Sequence, residues 1–219
     1  MMNKIRNIIF DFDGTLSDTA PVIVATMQKT IKHLGLPSRS DDDCRWTIGI
    51  RLEDVPAVLW PELDNESTRI FAPTFRRVFN VVRHQIKADC FPGVISVMHE
   101  LHERGFRMAV ATSRSRQSLE EYVAEYGIAD LFDMLIGGND VIHGKPSPEP
   151  VLKILEARSW QAAETITVGD APVDIQMGKA AGTQTCAVTY GNGRVGELGA
   201  AAPDYVIDSF AELALVVGN

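Results

Sequence analysis

The stretch NIIFDFDGTLSDT, residues 7–19, places two aspartates directly after a short apolar run. Asp11 and Asp13 are separated by one residue, so their carboxylates repel each other, and a short buried strand has no structural need for either. Two interpretations are open: an exposed turn with solvated acids, or a pair that binds a metal ion and attacks a substrate. Gly14 suits a tight turn, and Thr15 is expected to form a local hydrogen bond there.

Short apolar runs like the one before Asp11 recur along the chain and alternate with helical patterns. Their apolarity is continuous rather than alternating, which is typical of strands buried on both faces of a parallel sheet. Strands are predicted at residues 7–10, 107–112, 134–137, 165–169, 185–190 and 205–207. Helices are predicted at residues 93–104, 116–126, 148–158, 173–181 and 209–217. The alternation predicts an α/β fold with a doubly wound parallel sheet.

One long interval, from residue 20 to about residue 88, breaks this alternation because it contains helical patterns and no convincing strand. It is far longer than an ordinary connection inside a compact domain. We therefore predict a helical cap domain at residues 17–88, inserted into a discontinuous core of residues 1–16 and 89–219. The pair Pro92 and Gly93 marks the return to the core, and hinges are expected near residues 17–20 and 87–91.

Composition and charge exclude several classes of protein. A net charge of -8 argues against a nucleic-acid or membrane-surface binder, since either would need a basic face. No segment approaches the roughly 18 apolar residues of a membrane span, and the apolar run near the N-terminus is too short for a secretory signal. Cys44, Cys90 and Cys186 are scattered without metal-binding spacing, which indicates reduced cysteines in a cytoplasmic protein. A monomer or homodimer is expected.

Polar residues follow four of the predicted strands, and the carboxyl ends of parallel strands lie at one edge of a sheet, where ligands collect. The residues expected at this edge are Asp11, Asp13, Thr112, Ser113, Lys145, Asp170 and Asp174. Like charges gathered in this way are costly unless a cation offsets them. Mg²⁺ prefers oxygen ligands and keeps water positions that a substrate phosphate can take. The pattern therefore predicts a magnesium site that binds a phosphorylated molecule.

These residue types suit phosphoryl transfer. Asp11 can attack phosphorus and form an aspartyl-phosphate, one of the roles open to carboxylate nucleophiles. Asp13 can give a proton to the leaving oxygen and later take one from water. Mg²⁺, Lys145 and the Thr112 hydroxyl can hold the oxygens of the transferring group while its charge is redistributed.

Four segments, DFDGTLSDT, VATSR, GKPSPEP and VGDAPVD, occur in the order and with the spacing of the motifs of the haloacid dehalogenase superfamily. The chain resembles the branch with a helical cap after the first strand, and within it the phosphoglycolate-phosphatase-like enzymes. The resemblance covers nearly the whole chain. It implies a Rossmann-like core, dependence on Mg²⁺ and hydrolysis of a small phosphorylated metabolite.

Residue by residue, the resemblance implies that Asp11 is the nucleophile and Asp13 the acid–base group. Thr112 and Lys145 would bind phosphate. The backbone carbonyl of Asp13 would bind the metal, and the Asp174 side chain would hold a metal-bound water. The implied metal site consists of Asp11, Asp13, Asp170 and Asp174.

Two positions after the Thr112 motif depart from the family pattern, which often has Asn and Lys where this chain has Ser113 and Arg114. Both are candidates for substrate binding, although Ser113 also suits the cap of the next helix and Arg114 its solvated start. Arg51, in TIGIRLED, is a third candidate that could bind a second anionic group of the substrate. The alternative for Arg51 is an ion pair with Glu53 or Asp54.

Other activities within the superfamily stay open to different degrees. Asp13 speaks against dehalogenases and phosphonatase-type enzymes, which do not need it. Sugar-phosphate mutases carry a histidine twelve residues after the nucleophile, where this chain has Ile23. A hydrolase is therefore favoured, with pyrophosphate and sugar phosphates as alternative substrates and a catalytically silent binding module as an alternative class. Residues 191–196, GNGRVG, resemble a dinucleotide motif but lie too late in the chain, which favours a loop.

Overall fold

A six-stranded sheet forms the centre of the computed structural model, which describes residues 4–218. The two ends of the predicted core domain, residues 1–3 and residue 219, lie outside the described residues. All strands are parallel in the order β3-β2-β1-β4-β5-β6. Their bounds are β1 Asn7–Phe10, β2 Arg107–Ala111, β3 Met134–Ile136, β4 Thr165–Gly169, β5 Gln184–Val188 and β6 Tyr205–Ile207. The doubly wound α/β prediction is confirmed, and all six predicted strands are present.

The chain between β1 and β2 begins with five helices, which we call the helical insertion (residues 20–82). They are α1 Ala20–Leu34, α2 Asp41–Trp46, α3 Val55–Leu59, α4 Asn65–Arg69 and α5 Phe71–Val82. The insertion contains no strand, as predicted from its sequence. Phe71, Phe75 and Phe79 line the buried face of α5, and the ring of Trp60 packs edge-on against Phe71 at 5.7 Å. These aromatic side chains belong to the same apolar cluster as Ile8 and Phe10 of β1, so the insertion packs onto the core.

The remaining helices cover both faces of the sheet. They are α6 Val94–Glu103, α7 Arg116–Glu125, α8 Glu149–Arg158, α9 Pro172–Ala180, α10 Val195–Ala200 and α11 Leu213–Val216. Successive side chains of a strand point to opposite faces. Accordingly, Ile8 and Phe10 of β1 pack in one cluster with α6, α7 and α11, while Ile9 packs in a second cluster with α8 and α9. The predicted helix at residues 209–217 is instead a 3-10 turn followed by the short α11.

Two chain segments join the helical insertion to the sheet and run side by side. Asp18 donates its N–H to the Asp89 carbonyl at 2.9 Å, and Phe91 donates to the Leu16 carbonyl at 3.1 Å. The Tyr126 hydroxyl, at the end of α7, lies 2.7 Å from Ser17 Oγ. These contacts fix the start of the insertion close to Asp11 and Asp13. None of the helices within residues 4–218 has the length and apolarity needed to cross a membrane.

Candidate active site

Three buried carboxylates meet at the carboxyl edge of the sheet. Asp11 follows β1, and Asp170 follows the neighbouring strand β4, at the point where the strand order reverses direction. Asp174 lies in the first turn of α9. Each of the three offers an oxygen that lies within 4.8 Å of the others, and all three side chains are buried. A crevice outside the strand ends at such a reversal is where α/β sheets bind ligands.

Two segments of the chain, one after β1 and one after β5, hold the Asp170 carboxylate in place. Gly14 has a φ of +91°, and a Cβ at this position would lie 2.2 Å from Asp170 Oδ2. Thr15 donates its N–H to the Phe12 carbonyl at 3.4 Å, which is the expected local bond, and its hydroxyl donates to Asp170 Oδ1 at 3.2 Å. On the other side, the Asn192 N–H donates to Asp170 Oδ2 at 2.7 Å. The turn at residues 13–15, which we call the DGT turn, therefore packs closely against the Asp170 carboxylate.

Lys145 brings a positive charge into the carboxylate cluster from the loop between β3 and α8. Its Nζ donates a hydrogen bond to Asp11 Oδ1 and lies 2.6 Å from Asp174 Oδ1, with a side chain only 1% exposed. Asp174 also accepts a hydrogen bond from the Ala171 N–H at 3.0 Å through its other oxygen. Asp174 thus caps the start of α9 and faces the cluster at the same time.

Burial controls the charges in the cluster. It raises the pKa of Asp11 well above the ordinary range; Lys145 opposes the shift, and the neighbouring aspartates add to it. Burial likewise raises the pKa of Asp170 to about 7, with a further contribution from Asp174. Burial lowers the pKa of Lys145, but Asp11 and Asp174 outweigh that effect and the pKa is raised. Three carboxylates beside one ammonium group therefore make a site with a high affinity for positive charge.

The cluster suits a hard divalent cation. Asp11 Oδ2 is buried and has no hydrogen-bond partner within residues 4–218. An unpartnered buried carboxylate oxygen is costly, and a bound cation would satisfy it. All the available donor atoms are carboxylate oxygens, the ligands that Mg²⁺ and similar ions prefer. The residues present therefore fit the predicted metal.

The Asp13 side chain does not belong to this cluster. Thr19 donates its hydroxyl to Asp13 Oδ1 at 2.5 Å, and the Arg114 guanidinium donates to both carboxylate oxygens. The Arg114 side chain is only 7% exposed, so the alternative that it solvates the start of a helix was wrong. The Asp13 carboxylate faces the helical insertion, whereas the Asp11 carboxylate faces Asp170 and Asp174.

The residues that follow β2 lie between the core and the helical insertion. Thr112 is buried, and its Oγ1 accepts a hydrogen bond from the Arg114 N–H at 3.2 Å. Ser113 donates its hydroxyl to the Gly49 carbonyl of the insertion at 2.7 Å. The alternative that Ser113 caps α7 was wrong, because Ser115 occupies that position.

Arg51 spans the same boundary from the other direction. Its Nη1 donates to the Ile142 carbonyl at 2.8 Å, and its side chain packs against Gly144. Glu53 pairs with Arg76, and no ion pair joins Arg51 to a carboxylate among the described residues. The predicted alternative of an ion pair with Glu53 or Asp54 was therefore wrong.

A cavity of about 280 Å³ separates the helical insertion from the core. The insertion side includes Ile23, Arg51, Arg76 and Phe79, and the core side includes Asp13, Ser113, Arg114 and Ser118. The volume lies near the low end for small-molecule sites, so it suits a small ligand. The position that holds a histidine in the mutases is the apolar Ile23, which lines this cavity.

The first four residues of GNGRVG form a loop that packs onto the acidic cluster, but the loop prediction was wrong for the last two, which begin α10. A Cβ at Gly191 would lie 2.3 Å from the Asp170 Cβ, so only glycine fits that close approach. Arg194 lies over the ring of Trp46 in α2, and Trp46 Nε1 donates to Glu197 at 3.3 Å. Sequence reasoning missed Asn192 and Thr19 as site residues; only the proximity of Thr19 to Asp13 in the sequence could have indicated it.

Comparison with known proteins agrees with this geometry. A family model described as a haloacid dehalogenase-like hydrolase matches residues 8–188. The pyrophosphatase PpaX of Halalkalibacterium halodurans is 31% identical over 215 residues, covering 98% of both proteins. A phosphoglycolate phosphatase of Aquifex aeolicus is 29% identical over 214 residues, covering 98% of this chain and 97% of that protein.

A solved structure, a haloacid dehalogenase-like family hydrolase from Streptococcus pneumoniae, shares the fold with a TM-score of 0.86. It is 23% identical and the match covers 97% of this chain and 98% of that one. The chain belongs to the haloacid dehalogenase-like hydrolase family. The resemblance inferred from the four motifs is confirmed, and with it the expectation of an enzyme of the phosphatase type.

Proposed function

We propose that the protein is a Mg²⁺-dependent phosphatase that hydrolyses a small phosphate monoester through an aspartyl-phosphate. The observation that carries this proposal is the position of Asp11, which is buried and bonded to Lys145 through one oxygen, while its other oxygen has no partner among the described residues. A carboxylate held in this way is oriented as a nucleophile while a cation balances its charge. The relatives named phosphoglycolate phosphatase and pyrophosphatase support the same class of reaction.

In this mechanism a carboxylate oxygen of Asp11 attacks phosphorus, and the bond from phosphorus to the leaving oxygen breaks. Asp13 gives that oxygen a proton. Asp13 then takes a proton from water, the water oxygen attacks phosphorus, and the bond to Asp11 breaks. Inorganic phosphate leaves and the Asp11 carboxylate is restored. Lys145 and Thr112 hold oxygens of the transferring group throughout.

We assign the metal site to Asp11, Asp170 and the Asp13 backbone carbonyl, with Asp174 acting through a bound water. When bound, Mg²⁺ supplies positive charge that stabilises the oxygens of the phosphoryl group. The raised pKa of Asp170 fits this assignment, because a carboxyl group that resists ionisation in the protein alone is one that a cation would stabilise in its charged form.

The helical insertion is proposed to act as a cap domain, residues 17–88, over a core of residues 1–16 and 89–219. The paired linkers near Ser17 and Cys90 are then the hinges that open for substrate and close to exclude water. The cavity between insertion and core is where the organic part of the substrate would bind. Cytoplasmic location and a monomeric or homodimeric state stay predictions.

The cavity favours a substrate with a small charged tail. Arg51 lines it and has no carboxylate partner in the described part of the chain, so we propose that Arg51 binds a second anionic group, as in phosphoglycolate or pyrophosphate. The variant Arg51→Ala should raise KM for phosphoglycolate at least about tenfold, the loss expected for one charge-assisted hydrogen bond. An unchanged KM would rule out this role.

The function itself is tested with p-nitrophenyl phosphate and a panel of phosphorylated metabolites ranked by kcat/KM. Turnover should require Mg²⁺, stop on addition of EDTA and be abolished in Asp11→Asn. The matched control is Asp130→Asn, an exposed aspartate far along the chain from the cluster, which should keep full activity. A folded wild-type protein that turns over no phosphate ester would instead favour the silent binding module.

A further inference from the structure

Arg114 and Asp13 form a buried ion pair at the boundary between core and helical insertion. Arg114 Nε donates to Asp13 Oδ2 at 3.0 Å and to Oδ1 at 3.2 Å, and Nη2 donates to Oδ1 at 2.5 Å. Thr19 also donates to Oδ1. The two side chains are 7% and 9% exposed. While these contacts last, both oxygens of Asp13 accept hydrogen bonds from the protein, and the carboxylate is directed toward Arg114.

The guanidinium of Arg114 has a fixed place between three aromatic rings. Its carbon lies 4.7 Å from the ring centre of Tyr122, 5.2 Å from that of Phe79 and 5.7 Å from that of Phe12. Nη1 donates to Ser118 Oγ at 2.8 Å. Phe79 belongs to the helical insertion and the other rings belong to the core. Arg114 is therefore held at the cavity wall by contacts that do not depend on Asp13.

Among the arginines that line the cavity, Arg114 has a distinctive partner. Arg76 pairs with Glu53, which has no part in the proposed reaction, and Arg51 donates to a backbone carbonyl. The partner of Arg114 is the carboxylate that the reaction needs. If Asp13 turned to a substrate with a neutral tail, the buried guanidinium would lose its counter-charge, which is costly. If an anion replaced Asp13, that cost would be avoided.

We propose that Arg114 is a specificity-determining residue that selects phosphate esters carrying a second anionic group, a carboxylate or a phosphate, near the reacting phosphorus. The anion takes the place of Asp13 on the guanidinium, and Asp13 is released toward the leaving-group oxygen. This inference rests on the proposed phosphatase function and deepens it. Arg51 then contributes to substrate binding, whereas Arg114 makes the acid–base group available and so acts on kcat.

A pair of substrates with matched length tests the exchange. Phosphoglycolate has a carboxylate tail, and 2-hydroxyethyl phosphate has a neutral one. Wild-type kcat should be about 10- to 100-fold higher for phosphoglycolate, the range expected for one charge-assisted pair. Arg114→Gln should bring the kcat ratio close to one. Arg77→Gln, an exposed arginine of the insertion that contacts His33, is the control and should keep the ratio. The same kcat ratio measured with pyrophosphate in place of phosphoglycolate shows whether Arg114 selects a phosphate tail or a carboxylate tail.

Activation by a separate anion gives a second test in the wild-type enzyme. Acetate should accelerate the turnover of methyl phosphate, which has no tail, by filling the position next to Arg114. It should have no such effect in Arg114→Gln. A wild-type kcat ratio near one, or a ratio that Arg114→Gln leaves unchanged, would contradict the proposal. So would a result in which acetate does not accelerate the turnover of methyl phosphate but only inhibits it or has no effect.

A binding experiment with the wild-type protein keeps the inference separate from turnover. Crystals soaked with 3-phosphonopropionate, a non-hydrolysable analogue of phosphoglycolate, should show its carboxylate on Arg114 and Asp13 displaced from it. Propylphosphonate, with a neutral tail, should leave the Arg114–Asp13 pair intact. If both soaks leave the pair intact, the exchange is wrong even if the enzyme is active; if no phosphate ester is turned over, it is the proposed function that fails.

Discussion

Lys145 donates a hydrogen bond to Asp11, although the two residues are 134 positions apart and both side chains are almost fully buried. The lysine is the main positive charge in contact with the cluster, so its removal leaves Asp11 and Asp174 without compensation. Removing one partner of a buried ion pair costs about 3–5 kcal/mol of unfolding free energy.

We therefore expect Lys145→Met to lower the free energy of unfolding by about 3 kcal/mol at pH 8 without added metal. The loss should be smaller at pH 5, because the pKa of Asp11, raised already in the wild type, rises further without the lysine and the carboxyl can take a proton. Urea unfolding at both pH values measures this. Lys153→Met, at an exposed lysine of α8 that donates to the Asp140 carbonyl, is the control. Equal losses at the two pH values would contradict the electrostatic explanation.

Divalent-cation binding should strengthen as pH rises. The pKa of Asp170 is raised from an ordinary value near 3.8 to about 7, so the folded protein without metal holds more protons than the unfolded chain between these values. This contribution to stability is complete below pH 3.8 and is lost as pH rises through 7. A bound cation opposes this loss of stability at high pH, because it stabilises the ionised Asp170 carboxylate.

The expected result is that the increase in Tm caused by Mg²⁺ is larger at pH 8 than at pH 6. Affinity measured by titration calorimetry should fall about tenfold per pH unit below the pKa if one proton competes with the ion. Asp170→Asn should lose most of the pH dependence together with the binding. A Tm shift of the same size at both pH values would show that Asp170 does not hold the ion.

The sheet could be predicted from the sequence because its strands are continuous apolar runs ended by polar residues or glycine. β1, β4 and β6 match their predicted bounds. Other predicted ends run one or two residues too long, and there the chain continues to form hydrogen bonds after the last paired position. Thr112, for example, still donates its N–H to the Ile136 carbonyl at 3.0 Å. The convergence of Asp11, Asp170 and Lys145 followed from their places at strand ends.

The side-chain directions on the boundary could not be predicted in the same way. The pairing of Asp13 with Arg114 depends on how the DGT turn directs one carboxylate toward α7, and no periodic pattern encodes that direction. The contacts from Ser113 to Gly49 and from Asn192 to Asp170 join loops that are distant in sequence. Such contacts depend on the packing of the insertion and of the loop after β5, which become known only from the folded chain.

Gly191 lies against Asp170 so closely that a side chain cannot be accommodated. A Cβ there would lie 2.4 Å from the Gly14 carbonyl oxygen as well as 2.3 Å from the Asp170 Cβ. We expect Gly191→Ala to weaken Mg²⁺ binding at least about tenfold and to destabilise the fold by about 1–3 kcal/mol through overpacking. Calorimetric titration and urea unfolding measure the two effects.

Gly196→Ala is the matched control for this substitution, because Gly196 is close to Gly191 in the chain and no atom of the described residues lies within 4 Å of a Cβ there. It should leave both metal affinity and stability within about 0.5 kcal/mol of the wild type. If Gly191→Ala bound Mg²⁺ as well as Gly196→Ala, the close approach would have no bearing on the metal site.

Tyr126 ties the two linkers of the helical insertion to α7. Its hydroxyl donates to the Ala88 carbonyl at 3.0 Å and lies 2.7 Å from Ser17 Oγ, so Tyr126→Phe removes contacts with both linkers while keeping the ring. We expect a loss of about 1–2 kcal/mol in unfolding free energy. Hydrogen exchange at the Asp18 and Phe91 amides should become faster, because these amides join the linkers. Thr185→Val loses a comparable hydroxyl bond, to Asp204 near the amino end of β5, and should leave that exchange unchanged. Unaltered exchange at both amides in Tyr126→Phe would mean that the linkers are held by their own backbone hydrogen bonds and not by this hydroxyl.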